Sequence, residues 1–111
     1  MQATIAYPKI TMIRPQGAFN AANAVEFRQQ ITTVVAQEEH GNILVDLEQV
    51  ESIDSAGLMA LVQGLKLAQS MGKRFSLCCV SQSNWMIFEL TQLDQVFEIF
   101  PSKAAFEAAI A

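Results

Sequence analysis

The chain has 111 residues, of which 51% are hydrophobic and 16% charged. That is the length of one domain, taken here as residues 1–111; it is too apolar for a disordered chain, yet no apolar run approaches the about 20 residues of a membrane-spanning helix. The net charge is −4 and the seven Lys and Arg are scattered, so the basic patch of a nucleic-acid binder is absent.

The N-terminal residues Met1-Gln2-Ala3-Thr4 have neither the basic region nor the apolar core of a secretory leader, so a cytoplasmic protein is expected. Two short β-branched runs, residues 4–7 and 10–14, flank Pro8 and read as a pair of strands, the first at an edge. Pro15-Gln16-Gly17 signals a turn. From residue 20 to 40 the spacing becomes helical, with Ala24, Phe27, Ile31, Val34 and Val35 on one stripe. Asn20 or Asn23 can cap this helix, and Gly41 suits its C-terminal stop.

Residues 42–47 form a compact run of Ile, Leu and Val, as in a strand buried on both faces of a parallel sheet. A loop, 48–54, leads to a helix that starts near Ser55. Leu58, Leu61, Val62, Leu65 and Ala68 line its buried side. Gly72 stops it, with Lys73 and Arg74 just beyond its negative end. Gly64 inside the helix costs about 1 kcal/mol against Ala, which points to close packing against a neighbour.

A strand at 75–80 carries Cys78 and Cys79. Adjacent residues on a strand face opposite ways, and no further Cys or His lies at ligand spacing, so two buried thiols are expected, with no disulfide and no metal. Residues 81–83 form a capped turn, 84–93 a short helix, and 96–100 a last strand closed by Pro101. Ser102 caps a terminal helix at 103–111. The order β-β-α-β-α-β-α-β-α predicts an α/β fold: a single mixed β-sheet of about five strands covered by helices, largely parallel, with an antiparallel edge from the first pair.

Catalytic chemistry finds little purchase. The single histidine, His40, and the paired Glu38 and Glu39 sit on a solvated helix end, and no phosphate-binding glycine motif occurs. No enzyme activity and no cofactor are expected. The informative segment runs from Asp46 through Asp54-Ser55-Ala56-Gly57 to Leu58, where a buried strand hands over to a helix through a loop. Such loops are where function sits in open α/β sheets. Locally, Ser55 reads equally as a helix cap or first-turn residue, and Asp54 could cap as well.

This segment resembles the signature of the STAS domain family, the anti-sigma-factor antagonists. Gly17 falls at the family's turn before the first helix, and the tail from Phe88 to Phe97 is similar to its C-terminal helix and strand. The resemblance spans about residues 4–110. It implies that Ser55 is phosphorylated by a serine kinase that is itself an anti-sigma factor, and that a PP2C-type phosphatase reverses this. The unphosphorylated antagonist binds the kinase and the phosphorylated form releases it. Asn20 stands where family members often carry an acidic residue near the phosphosite. Ala56 stands where a second Ser is common, leaving Ser55 the only hydroxyl of the motif. A STAS-type scaffold or small-molecule sensor is the alternative reading.

Physically, a phosphate at a helix N-terminus is tolerated by the fold and adds about −1.5 to −2 charges. It would join Glu38, Glu39, Asp46, Glu48, Glu51 and Asp54, in a stretch with no Lys or Arg between Arg28 and Lys66. Met59, Gln63 and Lys66 lie at one-turn spacing on the exposed side of the helix and form a candidate partner surface. Trp85 and Phe88 are either a second contact or core. Met12, Met59, Met71 and Met86 read as core filler or helix surface, not as a cofactor site. A monomer or weak dimer is expected.

Overall fold

The computed structural model describes residues 10–37 and 41–110. The strand expected at 4–7, with its antiparallel edge, lies outside these residues, as do Glu38, Glu39, His40 and Ala111. The described elements run β1 (Thr11–Ile13), β2 (Gly17–Phe19), α1 (Ala24–Gln37), β3 (Asn42–Asp46), β4 (Val50–Ile53), α2 (Ser55–Ser70), β5 (Arg74–Cys78) and α3 (Gln82–Leu90), followed by a 3-10 turn at Leu93–Gln95, β6 (Glu98–Phe100) and α4 (Lys103–Ile110). The protein is an α/β fold, with strands β1-β3-β5-β6 in one parallel sheet and β2 beside β4 in a second parallel pair.

Period-two alternation sorts the strand residues to two faces. Ile13, Ile43, Val45, Phe75 and Leu77 belong to the larger core, with Ile31 and Val35 of α1 and Leu58, Leu61 and Leu65 of α2. The intervening Met12, Leu44 and Cys78 pack with Phe106 of α4 on the other face. β3 is the central case: Ile43, Leu44 and Val45 are all fully buried, because helices cover both sides of it. Each such large side chain contributes about 1.5–3 kcal/mol.

Two strands were not expected. Gly17–Phe19 reads as the end of a turn and Val50–Ile53 as loop, because neither alternates. The register explains the second. Gly17 pairs with Val50, but Ala18 pairs with Ser52. The extra residue, Glu51, shifts parity, so Val50 and Ile53, three apart, are both buried.

Helix ends follow local chemistry. Asp54 caps α2 and Ser81 caps α3, each accepting a backbone N–H three residues on. Ser102 does the same for Ala105 N. Asn23 starts α1 through its carbonyl, which accepts from Phe27 N. Its side chain instead ties the preceding loop, accepting from Asn20 N and donating to Ala18 O. Gly72 has a φ of +69° beyond α2. The two cations after it act elsewhere: Lys73 Nζ donates to Val35 O near the C-terminal end of α1, and Arg74 grips Glu98.

That grip is bidentate, at 2.7 and 2.6 Å. The Ser76 hydroxyl also donates to Glu98, and the Arg74 guanidinium lies 5.8 Å over the Phe106 ring. Arg74 chiefly, helped by Ser76, holds the Glu98 carboxyl below its usual pKa against the opposing effect of burial. A lowered folded pKa stabilises the protein above the unfolded carboxylate value of about 4.3 and ceases to do so as pH falls through the folded value. Glu98→Gln should therefore cost up to about 1 kcal/mol at neutral pH, a small figure because both side chains are about 40% exposed. Urea titrations of both proteins should converge below about pH 4.

The close packing expected at Gly64 is present. A Cβ there would lie 2.5 Å from Ile31 Cγ2 and 3.1 Å from two Phe75 ring atoms. Ile31 is β-branched and buried, so it has little room to turn away. Gly64→Ala should destabilise by about 1–3 kcal/mol, overpacking outweighing its gain in helix propensity. An unchanged urea midpoint would contradict this.

Candidate functional site

The site forms where β2, β4 and α2 meet. Asp54 N donates to Phe19 O at 2.9 Å, joining the ends of the two strands. Asp54 Oδ1 then accepts from Gly57 N at 3.0 Å, and Asp54 O accepts from Leu58 N at 2.9 Å. Asp54 is thus the N-cap, which settles its ambiguity with Ser55. Ser55 is the first helical residue and is exposed. Among the described residues no hydrogen bond engages its hydroxyl.

Gly57 is buried directly against β2. A Cβ there would meet Phe19 O and Phe19 Cβ, each at 2.5 Å. The third position after the cap must therefore be glycine for the helix to start this close to the strand. Asn20 follows Phe19 immediately, at the same junction. Its side chain accepts from Ala22 N and its backbone N donates to Asn23 Oδ1, so it shapes the loop before α1.

Beside Ser55 a groove of about 230 Å³ runs between α1 and α2. Ala24, Val25 and Arg28 line it from α1, and Ala56, Met59, Ala60 and Gln63 from α2. Val25 and Met59 are 59% and 51% exposed. They form an uncovered apolar surface in this groove, with Met59 about one turn along α2 from the serine. The expected Met59 and Gln63 are here, while Lys66 is exposed further along α2. Val25 and Arg28 were not singled out from the sequence, although Val25 is an apolar residue off the buried stripe of α1.

Arg28 also corrects the charge picture. No cation is near Ser55 in sequence, but α1 brings Arg28 into the same groove as Ala56. Asp46 leaves the acidic cluster: it is 4% exposed and paired with Arg14 at 3.3 Å. Glu48, Glu51 and Asp54 remain exposed.

Phe88 is core, not surface. It is fully buried and stacks edge-on against Phe97, ring centroids 5.9 Å apart. Trp85, three residues earlier, faces another way and is half-buried. It lines a cleft of about 290 Å³ with Val80, Ile99, Phe100 and Pro101, none of which has a polar side chain. The sequence also leaves Met86, Leu90 and Val96 exposed on and after α3, at 59%, 81% and 54%.

The two thiols do not part as expected. Cys79 leaves β5 with a φ of +62°, which folds its side chain back until the two sulfurs are 3.4 Å apart. Both remain free thiols.

Comparison with known proteins agrees with this geometry. Residues 2–105 match the STAS domain model, and the chain belongs to the STAS domain family. The chain is 29% identical over 91 residues to a Thermotoga maritima protein named as an anti-sigma factor antagonist, covering 82% of this chain and 80% of that one. A crystal structure of a protein so named from the same organism superposes with a TM-score of 0.82 at 26% identity, over 93% of this chain and 87% of the other. The Bacillus cell fate determinant SpoIIAA in its phosphorylated form shares the fold, with a TM-score of 0.69 at 18% identity over 97% of each chain. No helix among the described residues is long and apolar enough to cross a membrane.

The Gly57 contact makes a sharp demand. Gly57→Ala must push α2 away from Phe19 and should cost about 1–3 kcal/mol. In amide spectra its shift changes should centre on residues 19–20 and 54–58; changes confined to residue 57 would show that the close approach is dispensable.

Proposed function

We propose that this chain is a phosphorylation-gated antagonist whose switch is Ser55. The observation that supports this best is the division of labour at the start of α2. Because Asp54 does the capping, the Ser55 hydroxyl is free to face solvent and to be modified without unmaking the helix. A phosphate on the first helical residue meets the positive end of the helix dipole and its free N–H groups, so the fold tolerates it.

Its effect falls on the neighbouring surface. The modified side chain adds about −1.5 to −2 charges at the mouth of the groove lined by Met59, Gln63, Val25 and Ala56. A partner whose apolar side chains cover Val25 and Met59 must then bury or approach that charge beside the Asp54 carboxylate. Each 1.4 kcal/mol of the resulting penalty is about tenfold in affinity, so binding can fall by orders of magnitude with no change of fold. The partner proposed is a serine kinase that acts as an anti-sigma factor, with a PP2C-type phosphatase restoring the free serine. The setting is the bacterial cytoplasm, with residues 1–111 acting as a single domain.

The experiment is a titration of the cognate kinase with Ser55→Ala, Ser55→Glu and the wild type. Ser55→Ala should bind as the unmodified protein does and resist nucleotide-driven release, and Ser55→Glu should bind at least about tenfold more weakly, one 1.4 kcal/mol step. Phosphopeptide mapping of protein from growing and stressed cells should place a condition-dependent phosphate on Ser55. Equal binding by all three proteins, or a well-observed peptide never modified, would overturn the proposal.

A further inference from the structure

At the carboxyl end of the main sheet, on the α4 face, two thiols and a carboxylate converge. Asp46 ends β3 and Cys78 ends β5, and the two are register partners on adjacent parallel strands. The positive φ of Cys79 brings its sulfur back to the same point. One ligand atom from each of these three residues lies within 4.8 Å of the other two. Carboxyl ends of parallel strands are where open α/β sheets bind ligands, and nothing in the antagonist mechanism uses this cluster.

We propose that Asp46, Cys78 and Cys79 form a binding site for a thiophilic d10 metal ion of the Zn(II) or Cd(II) type. Zn(II), about 2.3 Å from each sulfur, holds two thiolates about 3.8 Å apart in tetrahedral geometry. The sulfurs here are 3.4 Å apart, so only a slight opening is needed. Soft thiolates select this class of ion over Mg(II) or Ca(II). The carboxylate supplies the third donor: its oxygens accept from Glu48 N and Arg14 Nε, and each keeps a further lone pair.

The charges also match. Loading displaces one proton from each thiol, forming two metal–sulfur bonds and releasing two protons to solvent. Two thiolates and one carboxylate give three negative charges, the adjacent Arg14 cancels one, and a dication neutralises the rest. Burial chiefly, then the mutual contact of the thiols and the nearby Asp46, raises the Cys78 pKa; burial likewise raises that of Cys79. Cys79 is half-buried and gives the ion its route in, while Cys78 is fully enclosed.

The test titrates CdCl2 into the full chain, reduced with a phosphine, and follows the ultraviolet thiolate-to-metal band and the melting temperature together. One ion per chain should bind with release of two protons and should raise Tm, since binding to the native state stabilises it by mass action. Cys79→Ser should abolish the band. Asp46→Asn should weaken binding at least about tenfold, the scale on which even outer-sphere partners count. The absence of a band would overturn the proposal. So would a band with an unchanged or lowered Tm, which marks capture by the dithiol of the unfolded chain. Wild-type affinity in Asp46→Asn would remove the carboxylate from the site and overturn it equally.

Discussion

The contact between Gly57 and the backbone of Phe19 is the constraint on which the functional end of this protein depends. It sets how near α2 can start to β2, and through the Asp54 N to Phe19 O bond it locks β4 to the same strand. From that point the rest follows in order. Asp54 becomes the cap, Ser55 the first exposed residue of the helix, and α1, which begins five residues after Phe19, is laid alongside α2. Ile31 closes that second contact against Gly64. The two buried glycines of α2 are seven residues, or about two turns, apart on one face of the helix, and they give α2 two close neighbours, a strand at its start and a helix at its middle.

Much of this architecture is legible in the sequence because it follows from periodicity and caps. The start of α2, its buried stripe, the Gly72 stop, the Ser102 cap and the doubly buried β3 are all read correctly from residue spacing. What spacing hides are the three-residue β2 and the bulged β4, whose extra residue removes the alternation by which strands are recognised. Tertiary events are hidden as well. Nothing in the order of residues tells that Lys73 crosses to α1, that Arg74 turns to Glu98, or that a left-handed Cys79 reverses the divergence of two adjacent strand side chains. Phe88 fell into the core for a related reason: an i, i+3 aromatic pair shares a helix face only in part, and the Phe97 ring claimed one member.

The candidate site shows the same division. Ser55 and Asp54 are legible because a cap and an acceptor stand next to each other in the chain. The other wall of the groove is not, since Val25 and Arg28 lie some 30 positions earlier and arrive only by helix packing. Their arrival changes the electrostatics around the serine. The acidic stretch that looks continuous in sequence is divided in space: Asp46 is drawn under the α4 face by Arg14, while Asp54, Glu51 and Glu48 stay at the surface with one cation across the groove. Two chemistries, a hydroxyl at the start of α2 and a pair of thiols at the end of β5, thereby lie on opposite sides of the main sheet.

The short strand β6 has a bearing on association. It is the outer strand on its side of the main sheet, a position that in many proteins invites a second chain to add on by backbone pairing. Here it is three residues long, Pro101 follows at once and offers no N–H, and Glu98 places a charge on it. A sheet rim trimmed and charged in this way resists edgewise polymerisation, so along this side recognition is left to side chains presented by helices, a surface that can be remodelled by changing residues one at a time without disturbing any strand ladder.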